Sequence, residues 1–173
     1  EDGKTRVLVD ASPDCRVQLL DANVNHLDGI IFTHAHADHC HGIDYLRWIN
    51  QSMSRALPAF SDAASFEEIN KRFEYAFAPF EVPDHGFFNR PVLQWQEAKD
   101  QFSIENISFR CFRQNHGFSS TLGLRFGNVG YSTDVVRLDE TAFEILDGIE
   151  LFIVGCLRED PHPTHVDLPN IGL

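Results

Sequence analysis

The sequence predicts a layered α/β fold, and three observations carry that expectation. Short apolar runs that read as strands alternate with segments of helical period in the first half of the chain. A series of strands, one more helix and a last strand fill the second half, which suits stacked layers of sheet and helix. The 173 residues, 43% of them hydrophobic and 15 of them phenylalanine, can bury one sizeable core, so residues 1–173 are expected to form a single domain.

The elements follow in order. Residues 6–10 (RVLVD) are β-branched and read as a strand. Residues 18–24 read as a short helix after the Pro13–Asp14 turn. Residues 29–33 (GIIFT) are an unbroken apolar strand, as expected of a buried one. A helix is expected over 41–53, with Ile43, Leu46, Trp48 and Ile49 near its apolar face. A brief strand at 57–60 precedes a helix capped by Ser61 or Asp62 and running to about Phe77. Residues 78–91 hold three prolines, a glycine and three phenylalanines and read as a loop. Strands are expected at 92–97, 107–113, 121–126 and 129–132, the last two joined by a Gly127–Asn128 hairpin turn. A helix at 140–146 and a buried strand at 150–156 complete the reading. The chain enters a strand almost at once and stops just after Asp167-Leu168-Pro169, where a helix is expected to start. A domain incomplete at both ends is therefore expected.

Composition narrows the function. The formal net charge of -12 opposes long-range attraction to extended nucleic acid or an anionic membrane. It leaves room for a small anionic substrate, because bound metal ions would dominate the local field. No apolar stretch reaches the ~20 residues of a membrane span, and no basic-then-apolar leader opens the chain. A soluble cytoplasmic protein is the expectation. The four cysteines, Cys15, Cys40, Cys111 and Cys156, form no C-x-x-C pair and are expected to be reduced and mostly buried.

Histidine points to the chemistry. His34, His36, His39 and His41 fall within one short stretch, directly after the apolar strand at 29–33. The alternation of His34 and His36 puts both imidazoles on one side of an extended chain. Asp38 and His39 follow in the turn. This segment can present two nitrogens to one metal ion and a carboxylate with a nitrogen to a second. Imidazole plus carboxylate suits zinc, manganese or iron. Further ligand types stand at later strand ends. His116 follows the 107–113 strand, with a solvated loop histidine as its alternative. Asp134 ends the run Tyr131-Ser132-Thr133-Asp134, with a helix N-cap before Val135 as its alternative.

Thr33-His34-Ala35-His36-Ala37-Asp38-His39, with Gly42 following, resembles the T-H-x-H-x-D-H…G signature of the metallo-β-lactamase superfamily. Asn115-His116-Gly117, Ser132-Thr133-Asp134 and Pro161-His162-Pro163-Thr164-His165 fall in that family's order. The likeness covers residues 6–168 and is greatest to the phosphodiesterase branch. That branch holds the tRNA 3′-processing endonucleases and the small cyclic-phosphate phosphodiesterase of phosphonate breakdown. The resemblance implies an αββα sandwich and two divalent metal ions, zinc or manganese first and iron as an option. It implies that His34, His36 and His116 hold one metal, Asp38 and His39 the other, and Asp134 both. A further histidine ligand expected of the family would lie beyond residue 173. Asp44–Tyr45 stands where two acidic residues are expected in relatives, which bears only on local packing.

The same resemblance implies a reaction. The metals clamp a phosphate and activate water, Asp38 orients the nucleophile, and His165 protonates the leaving oxygen as general acid. His165 as a substitute ligand is the alternative. His162, held between two prolines, and Ser119 and Ser120 beside His116 are candidate substrate contacts; a surface role for His162 and a plain turn role for the serines are the alternatives. His41 is expected as a helix cap or a support for the ligands, and His26 and His85 as surface residues. Phe87, Phe88 and Arg90 could stack on a base, or the phenylalanines could cover the core. The leading expectation is a hydrolase of small nucleotide-like or cyclic phosphodiesters, with no nucleic-acid or membrane partner and a homodimer as one option. A tRNA 3′-end nuclease, a β-lactam or thioester hydrolase, and a non-catalytic metal- or nucleotide-binding relative are the competing classes.

Overall fold

The structure, a computed structural model, describes residues 3–81, 86–157, 159–160 and 162–167. His85, part of the expected 78–91 loop, Pro161 and all but the first residue of Asp167-Leu168-Pro169, where a helix is expected to start, lie outside the described residues. The chain divides into two compact units, residues 1–97 and 98–173.

The first unit is built on a four-stranded sheet, β1 (Val7–Val9), β2 (Gly29–Ile31), β3 (Leu57–Ser61) and β4 (Leu93–Glu97), in that spatial order. All pairs are parallel, with Val9 beside Ile31 and Ile31 beside Phe60. Parallel strands need crossover connections, and helices supply them: α1 (Cys15–Asp21), α2 (Ala37–Cys40), α3 (Leu46–Met53) and α4 (Ala63–Phe77). Ile30, Ile31 and Phe32 are essentially without solvent exposure, the pattern of a strand covered on both faces. Asp62 caps α4 by accepting from the Ser65 amide at 2.7 Å, and Ile69, Phe73 and Ala76 form its buried stripe. Each such large side chain contributes about 1.5–3 kcal/mol by leaving water. Buried Asn50 ties α3 to the start of β4, donating to the Val92 carbonyl and accepting from the Val92 amide, both at 2.9 Å.

Two expectations are corrected here, and the alternatives for Phe88 and Arg90 are decided. The first helix begins at Cys15, ahead of the expected Gln18. The helix expected over 41–53 is broken: α2 ends at Cys40, a 3-10 turn spans Ile43–Tyr45, and α3 follows. The cause is Gly42, whose amide donates to the Ala11 carbonyl at 2.8 Å. A Cβ there would sit 2.0 Å from the Ser12 carbonyl oxygen, so the chain is pinned and the helix cannot run through. Phe88 is fully buried and stacks on Phe80, so it covers the core and offers no platform for a base. Arg90 likewise spends its guanidinium on the carbonyls of Tyr75, Ala78, Pro79 and Pro91.

The second unit is a five-stranded sheet, β5 (Gln101–Ile104), β6 (Ile107–His116), β7 (Ser119–Phe126), β8 (Val129–Ser132) and β9 (Leu151–Val154), in sequential order. β5 to β8 are antiparallel neighbours, and β9 joins β8 in parallel after the helix α5 (Glu140–Leu146). Phe112 packs with Ala142, Ile145 and Leu146 of α5. β5 was not expected: its alternation spans only four residues, and its Glu105–Asn106 turn lacks the glycine that marks short hairpins. β9 is shorter than the expected 150–156, and its side chains alternate exposed with half-buried from one face to the other; among the described residues it pairs with β8 alone. No helix among the described residues is long and apolar enough to cross a membrane.

Candidate metal-ligand sets

In the first unit the ligand-type residues stand at the C-terminal ends of parallel strands, the place where open α/β sheets bind ligands. β2 ends at Ile31, and the chain stays extended to His36 before α2 begins. His34 is buried, while His36 and Asp38 are exposed. The His34 ring lies 4.5 Å from that of His36 and 4.2 Å from that of His39, centroid to centroid. Asp38 Oδ2 is 3.5 Å from His39 Nε2. Asp38 and His39 are therefore helical residues of α2 and not turn residues as expected. His41 follows α2, exposed, its ring edge-on to Phe73.

The residue that organises this set is Asp10, which sequence reasoning passed over. It follows β1 in the left-handed backbone region, at φ 60, and is 8% exposed. Its Oδ1 accepts from the Thr33 amide at 2.7 Å. Its Oδ2 accepts from the Thr33 hydroxyl at 2.7 Å and from His39 Nδ1 at 2.7 Å. A carboxylate only accepts, so His39 carries its proton on Nδ1. Thr33 gives its one hydroxyl proton to Asp10, so its oxygen accepts from His34 Nδ1 at 3.0 Å. Both rings are thereby set with the proton on Nδ1 and the lone pair on Nε2, the tautomer a metal ligand needs. The signal was present: a carboxylate ending the strand beside the one that carries the histidines.

The second unit repeats the device. His116 is the last residue of β6, a strand residue and not the loop residue expected, and it is 3% exposed. Its Nδ1 donates to the Thr164 carbonyl at 2.6 Å, which again leaves Nε2 as the lone-pair nitrogen. Asp134 Oδ2 lies 3.5 Å from that Nε2. No helix starts at Val135, so the N-cap alternative for Asp134 falls away. Gly117, at φ 73, allows the close approach of the 162–167 segment: a Cβ there would meet the Pro163 carbonyl oxygen at 2.5 Å. His165 Nδ1 is 3.9 Å from Asp134 Oδ1, and its ring centroid is 5.5 Å from that of His162. His162 Nδ1 accepts from the Thr164 hydroxyl at 3.1 Å. Ser119 and Ser120 are strand residues, exposed, paired across the hairpin with His116 and Asn115.

Comparison with known proteins agrees with this. The profile of the β-lactamase superfamily domain matches residues 5–172. A diphosphatase of the PhnP family is 27% identical with a TM-score of 0.84, over 99% of this chain and 64% of that one. The short form of human tRNase Z is 12% identical with a TM-score of 0.64, over 94% of this chain and 73% of that one, a likeness of fold alone. An octanoyltransferase of Porphyromonas gingivalis (strain ATCC BAA-308 / W83) is 30% identical over 95% of this chain and 32% of that protein. The chain thus spans about a third of that curated relative and less than two thirds of the diphosphatase. With its two sheets, its strand-end histidines and a profile match over nearly its whole length, the chain belongs to the β-lactamase superfamily domain family and has the metallo-β-lactamase fold.

Proposed function

We propose that this protein is a metal-dependent hydrolase of small nucleotide-like or cyclic phosphodiesters, residues 1–173 working as one hydrolase domain. The observation that carries the reading is the contact of Nδ1 of His34, His39 and His116 with a protein oxygen in each case, which assigns the proton to Nδ1. Imidazoles set in this way, with Asp38 beside His39 and Asp134 beside His116, fit divalent zinc or manganese. The ligand assignment is the one the resemblance implies: His34, His36 and His116 on one ion, Asp38 and His39 on the other, and Asp134 on both.

When bound, such ions neutralise phosphate charge and make water nucleophilic near neutral pH. The protein's own residues do the rest. Asp38, exposed and in the first turn of α2, accepts a hydrogen bond from the attacking water and orients it. Asp10 keeps His39 in its ligand tautomer throughout the cycle. His165 gives a proton to the leaving oxygen, and His162, Ser119 and Ser120 hold non-reacting phosphate oxygens. The likeness to a diphosphatase extends the substrate class to a diphosphate bridge. Each phosphorus of an internal bridge carries one negative charge and two oxygen substituents, as a diester does.

The test is hydrolysis of bis(p-nitrophenyl) phosphate and of a dinucleoside diphosphate by protein loaded with zinc or manganese. A β-lactam and an acyl thioester serve as competing substrates. Metal-dependent turnover of the phosphate substrates alone is expected. Turnover of the β-lactam or thioester without the phosphates would refute the assignment.

A further inference from the structure

Under Asp134 lies a buried polar cluster that the functions assigned above do not use. Gln114 on β6 is 3% exposed, Thr121 on β7 1%, and Ser132 at the end of β8 0%. Three polar side chains inside a sheet cost free energy unless each donor and acceptor is matched. One arrangement matches them. Ser132 Oγ donates to Gln114 Oε1 at 2.5 Å, which fixes the direction of the amide. Gln114 Nε2 then donates to Thr121 Oγ1 at 2.9 Å and to the Thr133 carbonyl at 2.6 Å. Thr121 Oγ1 in turn directs its proton to the carbonyls of Thr133 at 3.3 Å and Asp134 at 3.4 Å.

Those two carbonyls flank a strained point. Asp134 sits at φ 52, a left-handed conformation that costs a non-glycine residue energy and persists only where its surroundings impose it. The chain beyond is held independently: the Val136 amide donates to Asn115 and the Val166 amide to Val135. Residues 133 and 134 are thus the stretch whose path depends on the cluster. That path aims the Asp134 carboxylate at His116 Nε2. A well-packed apolar cluster would serve stability equally well. What the amide adds is direction, since one side chain ties three strands to the backbone of the ligand.

We propose that Gln114, with Thr121 and Ser132, is a positioning cluster that fixes the backbone of Thr133–Asp134 and so sets the metal-binding geometry of Asp134. This rests on the reading of Asp134 as a metal ligand. The test measures zinc affinity by competition with a chromophoric chelator, together with thermal stability. The variants are Thr121→Val, Gln114→Leu, and the triple Gln114→Leu/Thr121→Val/Ser132→Ala. Loss of residues that orient a ligand typically weakens metal binding about 10–100-fold, and that loss is expected in both single variants. The triple variant leaves no unmatched side chain, although the Thr133 and Asp134 carbonyls lose the same donors, so it should regain part of the thermal stability lost in Gln114→Leu while zinc affinity stays low. Affinity that recovers along with stability would make the cluster merely structural and overturn the proposal. So would single variants that bind zinc like the unaltered protein. If Gln114→Leu does not fold, Thr121→Val, nearly the same shape, decides alone on the same criterion. Unaltered protein that takes up no zinc would overturn the metal reading and this proposal with it, whereas normal uptake with unaffected variants overturns the proposal only.

Discussion

Asp10→Asn is the substitution that most directly tests how the first ligand set is built. The change is isosteric and removes only the charge and one acceptor. Asp10 accepts three hydrogen bonds, one on Oδ1 and two on Oδ2, all at 2.7 Å. An asparagine can place its oxygen at only one of those positions. With the oxygen toward the Thr33 amide, the NH2 group faces the Thr33 hydroxyl and His39 Nδ1. His39 must then accept at Nδ1 and carry its proton on Nε2, which removes the lone pair a metal needs. Thr33, accepting from the asparagine, turns its own proton toward His34 Nδ1 and reverses that tautomer too. With the oxygen on the other side, the NH2 group opposes the Thr33 amide, and a buried donor pair costs about 1–3 kcal/mol.

The first arrangement is the less costly, so the main loss should fall on metal affinity and not on folding. Altered support of a ligating histidine costs about 10–100-fold in affinity, which is about 1.4–2.8 kcal/mol. The assay is zinc competition against a chelator, with the nitrogen shifts of His34 and His39 in the NMR spectrum reporting which ring nitrogen carries the proton. Unchanged affinity with unchanged His39 tautomer would refute the reasoning. So would a loss of folding stability that accounts for the whole drop in affinity.

Three further outcomes are expected. Gly42→Ala should lower stability by about 3 kcal/mol or more in urea unfolding, because its Cβ would lie 2.0 Å from the Ser12 carbonyl oxygen and overpacking against backbone is hard to relieve. Burial first and the Asp14 charge second push the Cys15 thiol up to about 11 from 9.0. Alkylation at pH 8 should therefore be far slower in folded than in unfolded protein; because the folded value is the raised one, the thiol's contribution to stability is intact below 9.0 and is lost as pH rises through about 11. His165→Ala should keep its metal content and slow hydrolysis of alkyl diesters about 10²–10⁴-fold, with nitrophenyl diesters affected much less, since acid assistance matters most for basic leaving groups; equal slowing of both with loss of metal would make His165 a ligand.

The first motif was legible because it is local. His34, His36, Asp38 and His39 lie on one extended-then-helical segment, and their spacing alone brings the rings of His34, His36 and His39 together. Most strands were legible from apolar runs, and the cap of α4 was narrowed to Ser61 or Asp62, of which the structure uses Asp62. What escaped depends on partners distant in sequence. The end of α2 at Cys40 follows from contact of Gly42 with Ala11 and Ser12, which no helical periodicity reports. His116 looks like a loop residue because the β6 strand carries polar Gln114 and Asn115 near its end, and only the buried partners of Gln114 explain them.

Asp10 and Gln114 share a logic that separates what a motif specifies from what it leaves to the rest of the chain. The spacing H-x-H-x-D-H determines where nitrogens and oxygens stand, yet an imidazole presents either a lone pair or a proton at Nε2, and spacing does not choose between them. The choice is made at Nδ1. His39 donates from Nδ1–H to Asp10, 29 residues upstream, His116 to the carbonyl of Thr164, 48 residues downstream, and His34 to a threonine that Asp10 itself orients. A carboxylate has no tautomer, but its direction must be fixed, and for Asp134 that task falls to carbonyls held by Gln114 and Thr121. On the ligand assignment proposed above, ligand identity is written in short motifs and ligand readiness in long-range hydrogen bonds. A relative that kept every motif residue but lost Asp10 or the Thr164 carbonyl contact would keep the appearance of this family while its histidines presented protons where lone pairs are needed.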